Sequence, residues 1–177
     1  MEEKQLIKEI LRGDSSSFAM LVDQYQDMAM TIAYRILGNK QEAEDVVQNA
    51  FVKSYHNLHT FRLNSKFSTW FYRIVYNTSI TSLNKIKNRR EDEISEHSVF
   101  HSYDWKTESN LHSELDEQKE RVNKAIQQLS KNESVIVTLY YLEEYSVTDI
   151  AGIMSLSKSN VKIILFRARK KLQDILK

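Results

Sequence analysis

The sequence predicts an all-α protein of two small helical domains joined by an acidic flexible linker. Three observations carry this. The 177 residues include no Pro and three Gly (Gly13, Gly38 and Gly152), so few positions break a helix. Apolar residues recur at spacings of three and four through most of the chain, the period of a helix face. That periodicity vanishes over residues 91–113, EDEISEHSVFHSYDWKTESNLHS, which are acidic and Ser-rich. The expected domains are therefore 1–90 and 114–177, with 91–113 as the linker.

Taken in order, residues 2–12 read as a short helix with Leu6, Ile7, Ile10 and Leu11 on one face. Gly13 ends it, and Asp14 is placed to cap the next helix. That second helix carries Phe18, Leu21, Val22, Tyr25, Met28 and Ala29, then Ile32, Ala33, Ile36 and Leu37, on one side. Gly38 closes it. Asn39 opens a third helix with Glu42 three residues on, a capping-box pattern. Ala43, Val46, Val47, Ala50 and Phe51 are its expected apolar side; Glu42, Asp45, Gln48, Asn49 and Lys53 lie on the polar one. By itself such a polar side reads as a solvated face.

A loop from His56 to Ser65 leads into a helix whose expected buried stripe is Phe67, Trp70, Phe71, Ile74 and Val75, then Leu83 and Ile86. Tyr72, Arg73, Tyr76, Asn77 and Lys85 are expected on its exposed side. Within the linker, Phe100 and Trp105 are candidates to dock on a domain. His97 and His101 lie four apart there, without the helical periodicity that would hold them as metal ligands.

The last block reads as four helices. The first runs to about Leu129 with Val122, Ala125, Ile126 and Leu129 inward. Ser130 with Glu133 opens the second, burying Val135, Ile136, Leu139, Tyr140 and Leu142. Ser146 with Asp149 opens a short third helix, Val147 to Met154. After Ser155-Leu156-Ser157 comes a long basic helix, with Val161, Leu165, Ala168 and Leu172 inward. A short helix, a tight turn and a longer basic helix form a helix-turn-helix pattern. Lys158, Ser159, Lys162, Ile163, Phe166, Arg167 and Lys170 fall on its other side, where cations and an outward aromatic suit DNA.

Charge is distributed in blocks that the formal net charge of +1 conceals. Residues 61–90 carry seven Lys or Arg and no Asp or Glu, and residues 158–177 carry seven basic side chains and one acidic. Residues 91–157 hold five basic against fourteen acidic. Two basic blocks on either side of an acidic segment suit two separate polyanion contacts. In the first block, Phe61, Phe67, Trp70, Phe71, Tyr72 and Tyr76 interleave with the cations. That combination suits phosphates and unstacked bases, and equally an amphipathic core helix with a solvated basic face.

Other classes are excluded or left without support. The absence of Cys removes disulfides, thiolate nucleophiles and sulfur-based zinc sites. No run of about 18 apolar residues occurs and the N-terminal MEEKQLIKEILRGD has no apolar signal core, so a cytoplasmic protein without a membrane span is expected. No Gly-rich phosphate loop, metal-bound carboxylate pair or nucleophile setting points to an enzyme.

Three stretches together resemble one family. QEAEDVVQNAFVKSYHNL (41–58) and the adjoining FRLNSKFSTWFYRIVYNTSI (61–80) resemble the second region of bacterial extracytoplasmic-function sigma factors. Residues 128–172, with LSKNESVIVTLYYLEEYSVTDIAGIMSLSKSNVKIILFRARKKL, resemble their fourth region. The resemblance implies a non-catalytic specificity subunit of RNA polymerase that needs no metal or cofactor. It implies that Glu42, Asp45, Gln48, Asn49 and Lys53 dock on the β′ coiled coil. Phe61, Arg62, Asn64, Ser65 and Lys66 would capture a flipped base of the −10 element, with Arg73, Tyr76, Asn77 and Lys85 holding the melted strand. Lys158, Ser159, Asn160, Lys162, Ile163, Phe166, Arg167 and Lys170 would read the −35 element, their domain also touching the β flap. An anti-sigma protein is a further implied partner. Three departures stand out: Asn49 where an acid is common, Ser155 where Gly is common, and Ile163-Ile164 where polar residues are common. A stand-alone helix-turn-helix regulator is the alternative reading.

Overall fold

The structure of the protein is a computed structural model that describes residues 3–62, 65–92 and 114–177. Eight α-helices occur among these residues: α1 (Glu3–Leu11), α2 (Ser16–Leu37), α3 (Lys40–Asn57), α4 (Phe67–Asp92), α5 (Glu114–Gln127), α6 (Lys131–Val137), α7 (Val147–Met154) and α8 (Lys158–Leu176). They fall into two compact units, one holding α1 to α4 and the other built on α5, α6 and α8. No helix among the described residues is long and apolar enough to cross a membrane. Asn64, Phe100, Trp105, the His97–His101 pair and residues 93–113 of the expected linker lie outside the described residues.

In the first unit the helix ends obey local capping chemistry. Ser15, not the expected Asp14, takes the cap position of α2 and makes no side-chain cap bond; the Asp14 carboxylate braces the first turn instead, accepting the Ser16 N–H at 2.9 Å and the Ser17 hydroxyl at 2.9 Å. Gly38 takes a left-handed φ of 71° and returns its N–H to the Tyr34 carbonyl, which ends α2. Asn39 accepts the Glu42 N–H at 3.0 Å and starts α3. After α3 a single tight turn, Leu58–Thr60, leads to the extended Phe61.

Helices α2, α3 and α4 pack against one another, with α1 laid on α2. Leu21, Ala29, Ile32, Ala33 and Ile36 of α2 meet Ala43, Ala50 and Phe51 of α3 and Phe67, Phe71 and Val75 of α4 in the core. An aromatic cluster fills its centre. Phe71 stacks on Phe51 with ring centroids 4.5 Å apart and on Phe67 at 5.8 Å, and Tyr25 tilts against Phe67 at 5.3 Å. Offset rings of this kind add to the area they bury.

The second unit is smaller. Ile126, Leu129, Val137 and Ala168 form its core, with Leu172 packed against them. Three expectations fail in this unit, one of them at Tyr140, which is only partly buried. Val122 is exposed rather than inward, and Leu142 is half exposed. The reason for Leu142 is backbone: α6 passes into a wider turn over Thr138–Leu142, where the Glu143 N–H reaches the Thr138 carbonyl at 3.2 Å. One extra residue in a turn rotates the residues after it by about 100° around the axis, and Leu142 leaves the buried face.

The capping box at α6 also forms a tertiary clasp. Ser130 accepts from the Glu133 N–H, and Glu133 accepts from the Ser130 N–H at 3.0 Å. Both oxygens of the same carboxylate accept from Lys171 of α8, at 2.8 and 2.9 Å. Burial alone would raise the Glu133 carboxyl, but the bonds from Lys171 and Ser130 outweigh it, and the group lies below its ordinary 4.5. A depressed carboxyl stabilises the fold fully above its unfolded value and loses that contribution as pH falls through its folded value. Glu133→Ala is therefore expected to cost about 2 kcal/mol at pH 7. Lys171→Ala is expected to cost under about 1 kcal/mol, because the lysine is more than half exposed. The penalty for Glu133→Ala should shrink below pH 4.5. Urea titrations at pH 7 and pH 3.5 check both the order and the convergence.

Candidate nucleic-acid and polymerase interfaces

Helix α3 presents a largely polar outer face, on which Val52 and Tyr55 are the exposed apolar residues among those described. Ala43, Val46, Val47, Ala50 and Phe51 are buried, whereas Asp45, Gln48, Asn49 and Lys53 are exposed and Glu42 is partly so. The spacing 42, 45, 49 and 53 runs along one ridge of the helix.

Helix α4 departs from the expected arrangement. The residues it buries are Phe67, Ser68, Phe71, Tyr72, Val75, Tyr76 and Ser79, two adjacent rows at i, i+4. Tyr72 and Tyr76, expected on the exposed side, are 3% and 9% exposed. Trp70 and Ile74, expected in the core, are only partly buried. The cause is that α4 packs on α2 and α3 together, so its buried arc is centred between two rows. Small hydroxyl residues complete that arc: Ser79 satisfies its own hydroxyl on the Val75 carbonyl at 2.8 Å. Burial pushes the Tyr76 phenol above its ordinary value. Phe61 is also buried, its ring 5.7 Å from Phe67 and 5.4 Å from Trp70. Leu83 and Ile86 are half buried.

What α4 and the turn before it do expose is polar and basic. Arg62, Ser65, Lys66, Arg73, Asn77 and Lys85 are all exposed. A shallow groove of about 330 Å³ runs between α3 and α4, bordered by Lys53, Asn57, Trp70, Ile74 and Asn77. Lys53 donates to the Thr78 hydroxyl across it at 3.3 Å. The structure thus joins Lys53 to Asn77 on one surface, two residues expected in separate contacts. Trp70 and Ile74 enter this surface too. No single-helix pattern in the sequence marks them, because the groove is made by two helices.

The turn between α7 and α8 is built by a left-handed residue. Ser155 has φ 55°, and the Leu156 N–H returns to the Ala151 carbonyl at 3.0 Å, the six-to-one bond that ends helices this way. The geometry that Gly commonly supplies is thus adopted by Ser. Ser157 accepts the Asn160 N–H at 3.1 Å and starts α8. Val161, Leu165 and Ala168 are buried, while Lys158, Ser159, Asn160, Lys162, Ile163, Arg167 and Lys170 are exposed, and Phe166 is 71% exposed. Other cations of α8 are engaged with the rest of the unit. Arg169 donates to the Tyr141 hydroxyl and lies over its ring at 5.8 Å, and Lys171 is held by Glu133. The helix therefore divides its charge between an inner clasp and an outward face.

Taken together these features define an all-helical protein with two separate basic faces, one of them carried by a helix-turn-helix. Comparison with known proteins sharpens the class. The Sigma-70 region 2 model matches residues 21–90, and the Sigma-70 region 4 model matches residues 119–172. SigW of Bacillus subtilis, an ECF RNA polymerase sigma factor, is 31% identical, covering 98% of this chain and 96% of its own. The RNA polymerase sigma-H factor of Pseudomonas aeruginosa is 35% identical over 99% of this chain and 94% of its own. Among solved structures, CnrH in complex with the cytosolic domain of CnrY superposes with a TM-score of 0.69 at 20% identity, over 98% of this chain and 96% of that one. The sigma factor RpoE of Bartonella quintana, in complex with the anti-sigma factor NepR, gives 0.68 at 21% identity, over 90% and 96%. At these identities the two structures show the fold. The chain belongs to the extracytoplasmic-function RNA polymerase sigma factors, whose work is promoter-specific initiation of transcription. A stand-alone helix-turn-helix regulator would leave the region 2 match without a use, and is not favoured.

Proposed function

We propose that the two units divide promoter recognition between them. The first docks on the β′ coiled coil through Glu42, Asp45, Gln48, Asn49 and Lys53 of α3. It holds the opened −10 strand with Arg62, Asn64, Ser65, Lys66, Arg73, Asn77 and Lys85, while Phe61 and Tyr76 act from within as the wall behind them. The second reads the −35 element with Lys158, Ser159, Asn160, Lys162, Ile163, Phe166, Arg167 and Lys170, and touches the β flap. The observation that carries this reading is the outward face of α8. A helix that buries Val161, Leu165 and Ala168 yet turns Phe166 and four cations to solvent suits a major groove, where cations meet phosphates and guanine edges and an apolar ring meets a thymine methyl.

The division reflects the chemistry of the two targets. Melted strands need bases and phosphates held one by one, which an exposed basic and amide-bearing surface provides. Duplex reading needs a rigid helix. Catalysis stays with the polymerase, the protein acts in the cytoplasm where that enzyme works, and its free form is held by an anti-sigma protein, a partner of the kind found in the complex of RpoE with the anti-sigma factor NepR. Adding the purified chain to core RNA polymerase and a genomic fragment library should give transcripts from a defined set of promoters with shared −10 and −35 sequences. Core enzyme alone should give none, and equal random initiation in both reactions would end this reading.

A further inference from the structure

Helix α4 begins at Phe67, and the residue before it offers no side-chain oxygen as a cap. The residue before a helix commonly offers an oxygen to the first-turn N–H groups, from Ser, Thr, Asp or Asn. In this chain that residue is Lys66, whose ammonium only donates, and the first turn of α4 contains no acidic residue. An acceptor arrives from 64 residues away. Glu3 of α1 takes the Phe67 N–H on Oε1 at 3.2 Å, and its Oε2 takes the hydroxyl of Tyr25. Tyr25 is buried, with its ring against Phe67 and Tyr72. Helix α1 is itself anchored by Leu6, Ile7 and Ile10 and also packs on the Leu58–Thr60 turn. The carboxylate is thus held between the core and the first N–H of α4, where the helix dipole also favours a negative charge.

We propose that Glu3 is a positioning residue for the −10 contact: it caps α4 through space and so holds the residues just before the helix in the conformation that receives the opened strand. This rests on the function proposed above. Arg62, Ser65 and Lys66 lie between two points that α1 touches, the Leu58–Thr60 turn and the Phe67 N–H. Releasing Phe67 frays the turn that carries Trp70 and frees the chain ahead of it. Glu3 precedes the 21–90 span that the region 2 model matches.

The test compares Glu3→Ala, which removes the acceptor, with Glu3→Gln, whose amide oxygen still accepts the Phe67 N–H. Amide hydrogen exchange at Phe67 in the full chain reads the cap directly. Permanganate reactivity of −10 thymines, at a promoter selected with wild-type holoenzyme, reads strand opening. Affinity for core polymerase serves as the control. For Glu3→Ala, Phe67 exchange should rise and opening should fall, each roughly tenfold, with core affinity unchanged. Glu3→Gln should stay within about threefold of wild type in both. Wild-type exchange and opening in Glu3→Ala would overturn the proposal. So would an equal loss of core affinity in both variants, which would mark a general folding role. If wild-type holoenzyme opens no promoter, the −10 assignment fails, and the exchange measurement still decides whether Glu3 caps α4.

Discussion

Reversing charge at two outward residues of α8, Arg167→Glu with Lys170→Glu, is expected to reduce promoter-directed transcription at least about 100-fold while the protein stays folded. Both side chains are exposed, and the buried stripe of α8 runs through Val161, Leu165 and Ala168 instead. A lost phosphate contact flattens the dependence of log K on log salt by about 0.9, and a lost base contact costs about 1–3 kcal/mol. Two reversals add repulsion to both losses. Single alanine variants separate the roles: a phosphate contact weakens binding to all sequences alike, whereas a base contact relaxes the preference at one position. Transcription by reconstituted holoenzyme, with binding measured across a salt series, checks this. Full activity of the double variant would remove α8 from DNA reading. Lys171 is the natural contrast, since it is bound to Glu133 and its loss should act on stability rather than on DNA.

Phe71→Ala should be among the most damaging single changes to the first unit. The ring is fully buried, stacked on Phe51 at 4.5 Å and on Phe67 at 5.8 Å. Removing such a ring costs about 3–5 kcal/mol, much of the roughly 5–15 kcal/mol that holds a domain together. The loss should appear in α1 to α4 alone, because the core around Ile126, Val137 and Ala168 belongs to the other unit. Hydrogen exchange resolved by residue would show faster opening across α2, α3 and α4 with α6 and α8 unchanged. Phe71→Leu, which keeps most of the volume, should cost about 1–1.5 kcal/mol. A loss below about 1 kcal/mol for the alanine variant would contradict this packing.

The pattern of success and failure in reading the sequence has a physical basis. Gly38, Asn39, Ser130 with Glu133, and Ser146 with Asp149 mark helix ends correctly because a cap bonds its own chain within about four residues. The inward residues of α8 are equally legible, since one strong apolar row faces one small core. Helix α4 is not. Its buried arc contains Ser68 and Ser79, which no search for large apolar residues selects, and it is set by two neighbouring helices at once. The tyrosines at 72 and 76 therefore turn inward, and Trp70 and Ile74 move to the edge of a groove.

The sequence alone thus determined the helical class, the two basic blocks, most helix ends and the family resemblance, all of which reside in composition or in runs of neighbouring residues. Only the tertiary structure decided which face of α4 is buried, that Lys53 and Asn77 share a groove, that Glu133 clasps Lys171, and that Glu3 caps a helix 64 residues away. These depend on packing between segments far apart in the chain, and a hydrogen bond or ring contact between such segments leaves no local period to read.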